Sequence, residues 1–238
     1  MTEAENRGQS LHFFNGSTHE RQSVLSGAQL KEDFVGAATM SIPLFTVASV
    51  SPWGKHIVGS ATVAKVADQP NGVVACALTS ASEAQTGALH QKNERNFTAL
   101  KELVFEARVR ATVLPTGAVV GFVGLGADYN ANPESMTQLI GFSFRASGAL
   151  HFECDDAVTD TSTDTGITVT VNQWYVLRAE ILEAGTVVFY VDGVEVGSAP
   201  FAATGADAVL QPVVQVYKGS STPVGTLEVD YISGYNQR

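Results

Sequence analysis

Charge is in short supply in this sequence. Only 16% of its 238 residues are Asp, Glu, Lys or Arg, and the 24 acidic residues outnumber the 14 basic ones, for a formal net charge of −10. A nucleic-acid-binding chain needs a basic patch to neutralise phosphates and release their counterions. The densest basic run is Arg108-Val109-Arg110, too small for such a footprint, so direct nucleic-acid binding is not expected. Cysteine is scarcer still, with Cys76 and Cys154 alone. Two thiols cannot build the multi-bridge framework of a small secreted domain. Both sit in apolar strand-like runs, VVACAL and LHFEC, where a free thiol serves as a small hydrophobe. A single bridge stays open, because the Cα separation it requires is not readable from sequence.

Long apolar runs are missing as well. None approaches the length that spans a bilayer, so no membrane association is expected. The opening residues, MTEAENRGQ, are polar, and no apolar signal-type stretch follows; synthesis in a cytoplasm is expected. The five histidines, His12, His19, His56, His90 and His151, fall in neither H-x-x-H nor H-E-x-x-H spacing. P-loop, G-x-S-x-G and strand-linked G-x-G-x-x-G patterns are absent, and GFVGLG at Gly121 to Gly126 has the wrong spacing inside an apolar run. With none of these patterns, a chain that is not an enzyme is expected.

What is present is ordered β sequence. The chain is 45% hydrophobic with 22 Gly and 8 Pro, which excludes disorder. Its length suits one large β domain of about 200–250 residues. The clearest stretch is Trp174 to Val196, WYVLRAEILEAGTVVFYVDGVEV. Tyr175, Leu177, Ala179 and Ile181 fall on one face, and Trp174, Val176, Arg178 and Glu180 on the other, the period of a half-buried strand. Glu183-Ala184-Gly185 turns the chain into a second strand, Thr186 to Val191. Both faces of that strand are largely apolar, so it is expected to lie centrally in its sheet. Asp192-Gly193 then reads as a tight hairpin, since a type I′ turn needs positive φ at both central residues.

Taken in order, residues 1–41 read as an N-terminal arm with little core of its own. Leu11, Phe13 and Phe14 form its apolar anchor. Ser26 to Phe34, SGAQLKEDF, reads as a helical turn with Ser26 as N-cap. Residues 42–238 read as one β-sandwich domain. Its strands are expected over Leu44–Val50, Ile57–Val66, Gly72–Thr79, Lys101–Val113, Val119–Leu125, Leu139–Phe144, Ala149–Cys154, Ile167–Val171, the Trp174 meander, Val209–Tyr217 and Thr226–Ile232. Two polar stretches, Glu83–Phe97 and the acidic Asp155–Gly166, read as loops, the first with room for a short helix. Many short strands with turns at regular spacing give an all-β, antiparallel two-sheet sandwich with an extended N-terminal arm.

The order EARVR, GFVGL, LHFEC, W-x-V-L-R-A-E-I, V-x-F-Y-V-D-G and E-V-D-Y-I resembles the concanavalin A-like jelly roll of laminin-G and glucanase type, over roughly Ile42 to Ile232. The chain as a whole also resembles tailed-bacteriophage virion proteins that carry such a jelly roll, capsid decoration proteins in particular. That resemblance implies a non-enzymatic virion structural protein on the capsid surface. It would bind the major capsid protein and copies of itself as a dimer or trimer, with Leu11, Phe13 and Phe14 as partner-binding residues. The alternative is a glycan-binding, lectin-like module on a phage tail or cell surface.

Three further features are weighed against plainer readings. The glucanase branch of the fold uses an E-x-D-x-x-E strand, because retaining hydrolysis needs paired carboxylates. Glu228 and Asp230 supply E-x-D, but Ser233 stands where the last acid belongs; a solvent-facing acidic pair is the expectation. Asp155, Asp156 and Asp160 are candidate calcium ligands, since calcium takes several oxygens from a flexible loop, although the spacing matches no EF-hand. Trp53, Tyr129, Tyr217 and Tyr235 are candidate sugar platforms, or else cover core edges.

Overall fold

The computed structural model describes residues 2–7, 10–15, 21–23, 27–34, 51–69, 72–181 and 185–237. Among them are strands and three short 3-10 turns, with no α-helix. The expected strand Leu44–Val50 lies outside the described residues. In chain order the strands are β1 (Thr2–Arg7), β2 (Ser10–Asn15), β3 (Arg21–Ser23), β4 (Gly27–Glu32), β5 (Gly54–Val58), β6 (Thr62–Lys65), β7 (Val74–Ala77), β8 (Gln85–His90), β9 (Phe97–Thr98) and β10 (Leu103–Val113). They continue as β11 (Val120–Gly126), β12 (Leu139–Phe144), β13 (Ala149–Asp155), β14 (Asp160–Thr168), β15 (Tyr175–Ile181), β16 (Thr186–Val191), β17 (Val194–Pro200), β18 (Val209–Lys218) and β19 (Thr226–Gln237).

Two antiparallel sheets form the sandwich. The first runs β17-β16-β15-β10-β19-β7-β6, with β4 beside the far end of β19; the second runs β14-β13-β12-β11-β18-β8-β5, with β9 beside β18. Strict alternation builds the layer between them. Leu103, Phe105, Ala107, Val109 and Ala111 of β10 are buried, as are Tyr175, Leu177, Ala179 and Ile181 of β15. Phe189 is the hub, meeting Phe142 edge-on at 5.5 Å and stacking on Phe152 at 4.8 Å. The Asp192-Gly193 turn has φ of 49° and 79°, as the hairpin signal requires.

Several expectations are corrected. Ser26–Phe34 holds strand β4, paired with β19 over Ile232↔Glu32 to Gln237↔Gly27, and not a helical turn. Part of the stretch read as an arm is thus a sheet strand, and Phe34 joins the core. Glu83–Phe97 contains β8, buried throughout and paired between β5 and β18. The acidic stretch is β14, an edge strand, where one exposed side tolerates Asp and Thr. β16 is not central: it neighbours edge strand β17, and Val188 and Tyr190 remain half-exposed. The stretch β1-β2-β3 is a separate three-stranded sheet.

Candidate functional site

Alternation on the first sheet sends a second set of side chains away from the core: Glu106, Arg108 and Arg110 of β10, Arg178 and Glu180 of β15, and Tyr190 of β16. Glu228, Asp230 and Tyr231 of β19 join them. Arg108 Nη1 donates to Asp230 Oδ2 at 2.6 Å, and Arg110 Nε donates to Glu228 Oε2 at 2.7 Å. Both guanidiniums also lie on the Trp174 ring, at 4.8 and 4.5 Å from its centroid. Arg178 lies over Tyr190 at 4.4 Å. The Tyr231 hydroxyl donates to Glu106 Oε1 at 2.8 Å; burial, with the Glu106 charge next, pushes its phenol above the ordinary tyrosine value.

The E-x-D pair is therefore not the solvent-facing pair expected. Glu228 and Asp230 are each 7% exposed. β19 is last in sequence but interior in its sheet, flanked by β10 and β7. Each carboxylate is matched by its own guanidinium. The face as a whole is a layer of planar groups whose rotamers are already held.

The second sheet is different. Residues 127–138 cross its outer face, leaving at one side a cavity of about 70 Å³ lined by Phe122, Glu134, Ser143, Arg145, Glu153 and Asp160, among others. Arg145 pairs there with Glu134 and with Glu153, the latter at 2.7 Å. Glu153 also accepts from the Ser143 and Ser162 hydroxyls. Drug-sized ligands occupy roughly 300–1,000 Å³, so this recess admits only a small group.

Of the three expected calcium ligands, two are brought together. Asp155 and Asp160 face each other across β13 and β14. Burial, with the charges of Asp160 and Asp156 behind it, raises the Asp155 carboxyl against a lowering bond from Ala157 N–H. Asp156 turns away to hold backbone: Oδ1 accepts from Val158 and Thr159 N–H, Oδ2 from Ala202 N–H. Among the described residues no group of three or more His, Cys, Asp or Glu is placed to hold a metal ion. Leu11, Phe13 and Phe14 lie on β2, whose backbone pairs with β1 and β3; their side chains are outside the described residues.

Of the candidate sugar platforms, Trp53 is core. It is 2% exposed and donates through Nε1 to Glu32 Oε2 at 3.0 Å. Tyr129 stacks on His56 and His90. Tyr217 and Tyr235 are half-buried. The aromatic groups that the open face does carry, Trp174, Tyr190 and Tyr231, were missed as a set. The signal was present in the alternation that puts Trp174 and Arg178 on one face, but it does not say which strands lie adjacent.

A family model described as the concanavalin A-like lectin/glucanase superfamily matches residues 82–222. The chain belongs to that superfamily. No curated protein matches the sequence. Among solved structures, a protein of unknown function from Shewanella oneidensis MR-1 superposes with a TM-score of 0.62 at 14% identity, over 90% of this chain and 88% of that one. The carbohydrate recognition domain of Emp47p gives 0.55 at 13%, over 82% and 93%. Alginate lyase A1-II′, of polysaccharide lyase family 7, gives 0.51 at 12%, over 71% and 82%. At such identities the likeness is one of fold. It still corrects the expectation that the chain is not an enzyme: the same sandwich carries a polysaccharide lyase, so missing familiar motifs are no ground for excluding catalysis.

Proposed function

We propose that the chain is a saccharide-binding domain whose binding face is the outer side of the first sheet. The observation that carries this reading is the Arg108–Trp174–Arg110 layer, continued by Arg178 on Tyr190. Sugars present an apolar ring face and a rim of hydroxyls; aromatic planes and guanidinium N–H groups complement both. Because the ion pairs already hold these groups, little side-chain entropy is lost on binding. Each of the three arginines is matched by a carboxylate, so the face offers no surplus charge to a polyanion, and a neutral oligosaccharide is the expected ligand. The fold supports the reading, since the Emp47p domain is described as a carbohydrate recognition domain. Calorimetric titration against neutral oligosaccharides and an alginate oligomer tests it. Binding of a neutral glycan that falls at least tenfold in Trp174→Ala is expected. No binding to any glycan, or equal binding by the variant, would refute it. Assaying the bound glycan for new chain ends reports whether binding leads to cleavage.

One observation favours a second reading. Trp, Tyr and Arg are also the residues that dominate protein interfaces, and β1-β2-β3 forms a sheet apart from the sandwich. The chain would then act as a capsid decoration protein of a bacteriophage, binding the major capsid protein and its own copies. Co-sedimentation with purified capsids, lost in Trp174→Ala while the glycan titration is blank, would select this reading.

A further inference from the structure

The recess on the outer side of the second sheet lies on the opposite sheet from the Trp174 face, and its chemistry is different. Alternation along β13 sends Glu153 and Asp155 to the same side. Antiparallel pairing sets Ser162 of β14 opposite Glu153, and Asp160 opposite Asp155. Opposed side chains of such a pair start about 4.5–5.5 Å apart, and same-face neighbours along a strand about 7 Å apart. Three carboxylates can therefore reach one small group between them. Phe122, Leu139 and Pro133 supply an apolar wall.

Charge is the first guide to what that group is. Among the residues lining the recess, Arg145 is the one cation, against Glu134, Glu153, Asp155 and Asp160. Its guanidinium is already committed: Nη1 donates to Glu134, Nη2 to Glu153 Oε1 at 2.7 Å and Nε to the Ser143 hydroxyl at 2.9 Å. The second guide is an unused acceptor. The Glu153 side chain is only 9% exposed, yet its two oxygens are used unequally. Oε1 accepts from Arg145, Ser143 and Ser162, whereas among the described residues nothing donates to Oε2. Asp155 accepts through Oδ1, from Ala157 N–H at 2.7 Å, which leaves Oδ2 open. Asp160 is exposed and forms the rim.

Size and coordination decide between cations. A calcium ion takes six to eight oxygens at about 2.3–2.6 Å, and Asp156, the next acid along, is spent on the N–H groups of Val158, Thr159 and Ala202. An ammonium needs less: acceptors for three N–H donors and an apolar path for its stem. One water needs roughly 10–15 Å³, so a recess of about 70 Å³ admits a group on the order of five heavy atoms.

We propose that this recess is a binding site for a primary alkylammonium group, with its three N–H donors shared among Glu153 Oε2, Asp155 and Asp160 and its stem against Phe122 and Leu139. Amino sugars and lysine side chains both carry this group.

Amide chemical shifts of the isotope-labelled full chain test this, with n-butylammonium chloride as the probe and butanol and sodium chloride as controls. Amides of residues 153–162 should shift saturably with butylammonium and with neither control. The double variant Asp155→Asn, Asp160→Asn should bind about tenfold more weakly or worse, a loss of about 1.4 kcal/mol. Trp174→Ala should bind as wild type does, so this site and the saccharide face can fail separately. Should the double variant not fold, Asp160→Asn alone, at the exposed rim, should still weaken binding. Glucosamine against N-acetylglucosamine, and a lysine amide blocked at its α-nitrogen against its ε-acetylated form, identify the source: the free amine of the natural pair binds and its amide does not. Absence of a saturable shift overturns the proposal. So does an equal response to butanol or sodium, or undiminished binding in the Asp variants.

Discussion

Asp156 reaches 46 residues along the chain to accept a hydrogen bond from the backbone N–H of Ala202 at 2.9 Å. Its other oxygen accepts from Val158 and Thr159 N–H, so one carboxylate ties the β13–β14 turn to the segment after β17. These bonds hold its carboxyl below the ordinary aspartate value. Asp156→Ala should cost about 1.5–3 kcal/mol, the range for hydrogen bonds to a charged group, and Asp156→Asn about half that. Because the folded-state pKa is the lower one, the contribution is complete above roughly pH 4, near the unfolded aspartate value, and disappears as pH falls through the folded value. Urea melts at pH 7 and between pH 4 and 2.5 check both statements; equal midpoints for wild type and Asp156→Ala at pH 7 would contradict them.

Lys218 is buried, and among the described residues the hydrogen-bond partners of its Nζ are backbone carbonyls. It is 1% exposed, and Nζ donates to the carbonyls of Thr79, Ala81, Ser221 and Pro223 at 2.7–3.2 Å. Four carbonyl dipoles from two loops thus converge on one cation. Lys218→Met keeps much of the volume but strands those acceptors. It is expected to lower stability by about 3 kcal/mol or more, since each buried unsatisfied group costs about 1–3 kcal/mol. Chemical denaturation measures it directly.

Much of this scaffold is legible in the sequence. Alternation fixed which side chains of β10 and β15 enter the core, and Asp192-Gly193 fixed a hairpin, because period and turn chemistry are local. Position within a sheet is not local. Glu228 and Asp230 look like the acids of a frayed terminus until β10 and β7 are seen on either side of β19. The second strand of the meander looks doubly covered because Val188 and Tyr190 are apolar, yet it lies next to an edge. β8 does not read as a strand because Gln85, Thr86 and His90 are polar, and only its pairing between β5 and β18 explains why they are buried. The candidate face was invisible for the same reason: Trp174 and Arg178 come from one segment, but Arg108 and Arg110 come from a strand some 60 residues earlier.

Cys76 and Cys154 are free and buried. They sit on different sheets, and Cys154 Sγ donates to Pro200 O at 3.2 Å. Burial pushes both thiols up to about 12, so almost no thiolate exists at pH 8 to attack a reagent. The native protein should consume no disulfide reagent over an hour at pH 8, and two equivalents per chain once unfolded in guanidinium without reductant. Zero equivalents in the unfolded chain would mean a disulfide after all.

The ion pairs of the open face should differ in strength in a way burial dictates. Arg110 and Glu228 have side chains 17% and 9% exposed and approach to 2.6 Å; Arg178 and Glu180 are 34% and 18% exposed and 3.3 Å apart. Exposed pairs contribute about 0–1 kcal/mol. A shielded pair that shares two donors with one carboxylate couples more strongly, and removing one partner strands the other. Double-mutant cycles on thermal or urea stability should therefore give a coupling of about 1.5–3 kcal/mol for Arg110–Glu228 and under about 1 kcal/mol for Arg178–Glu180. The larger coupling should persist in 0.5 M salt, while the smaller one fades as its charges are screened. Equal couplings would mean that the Trp174 layer is held by stacking alone, and Glu228→Gln would then leave glycan affinity untouched.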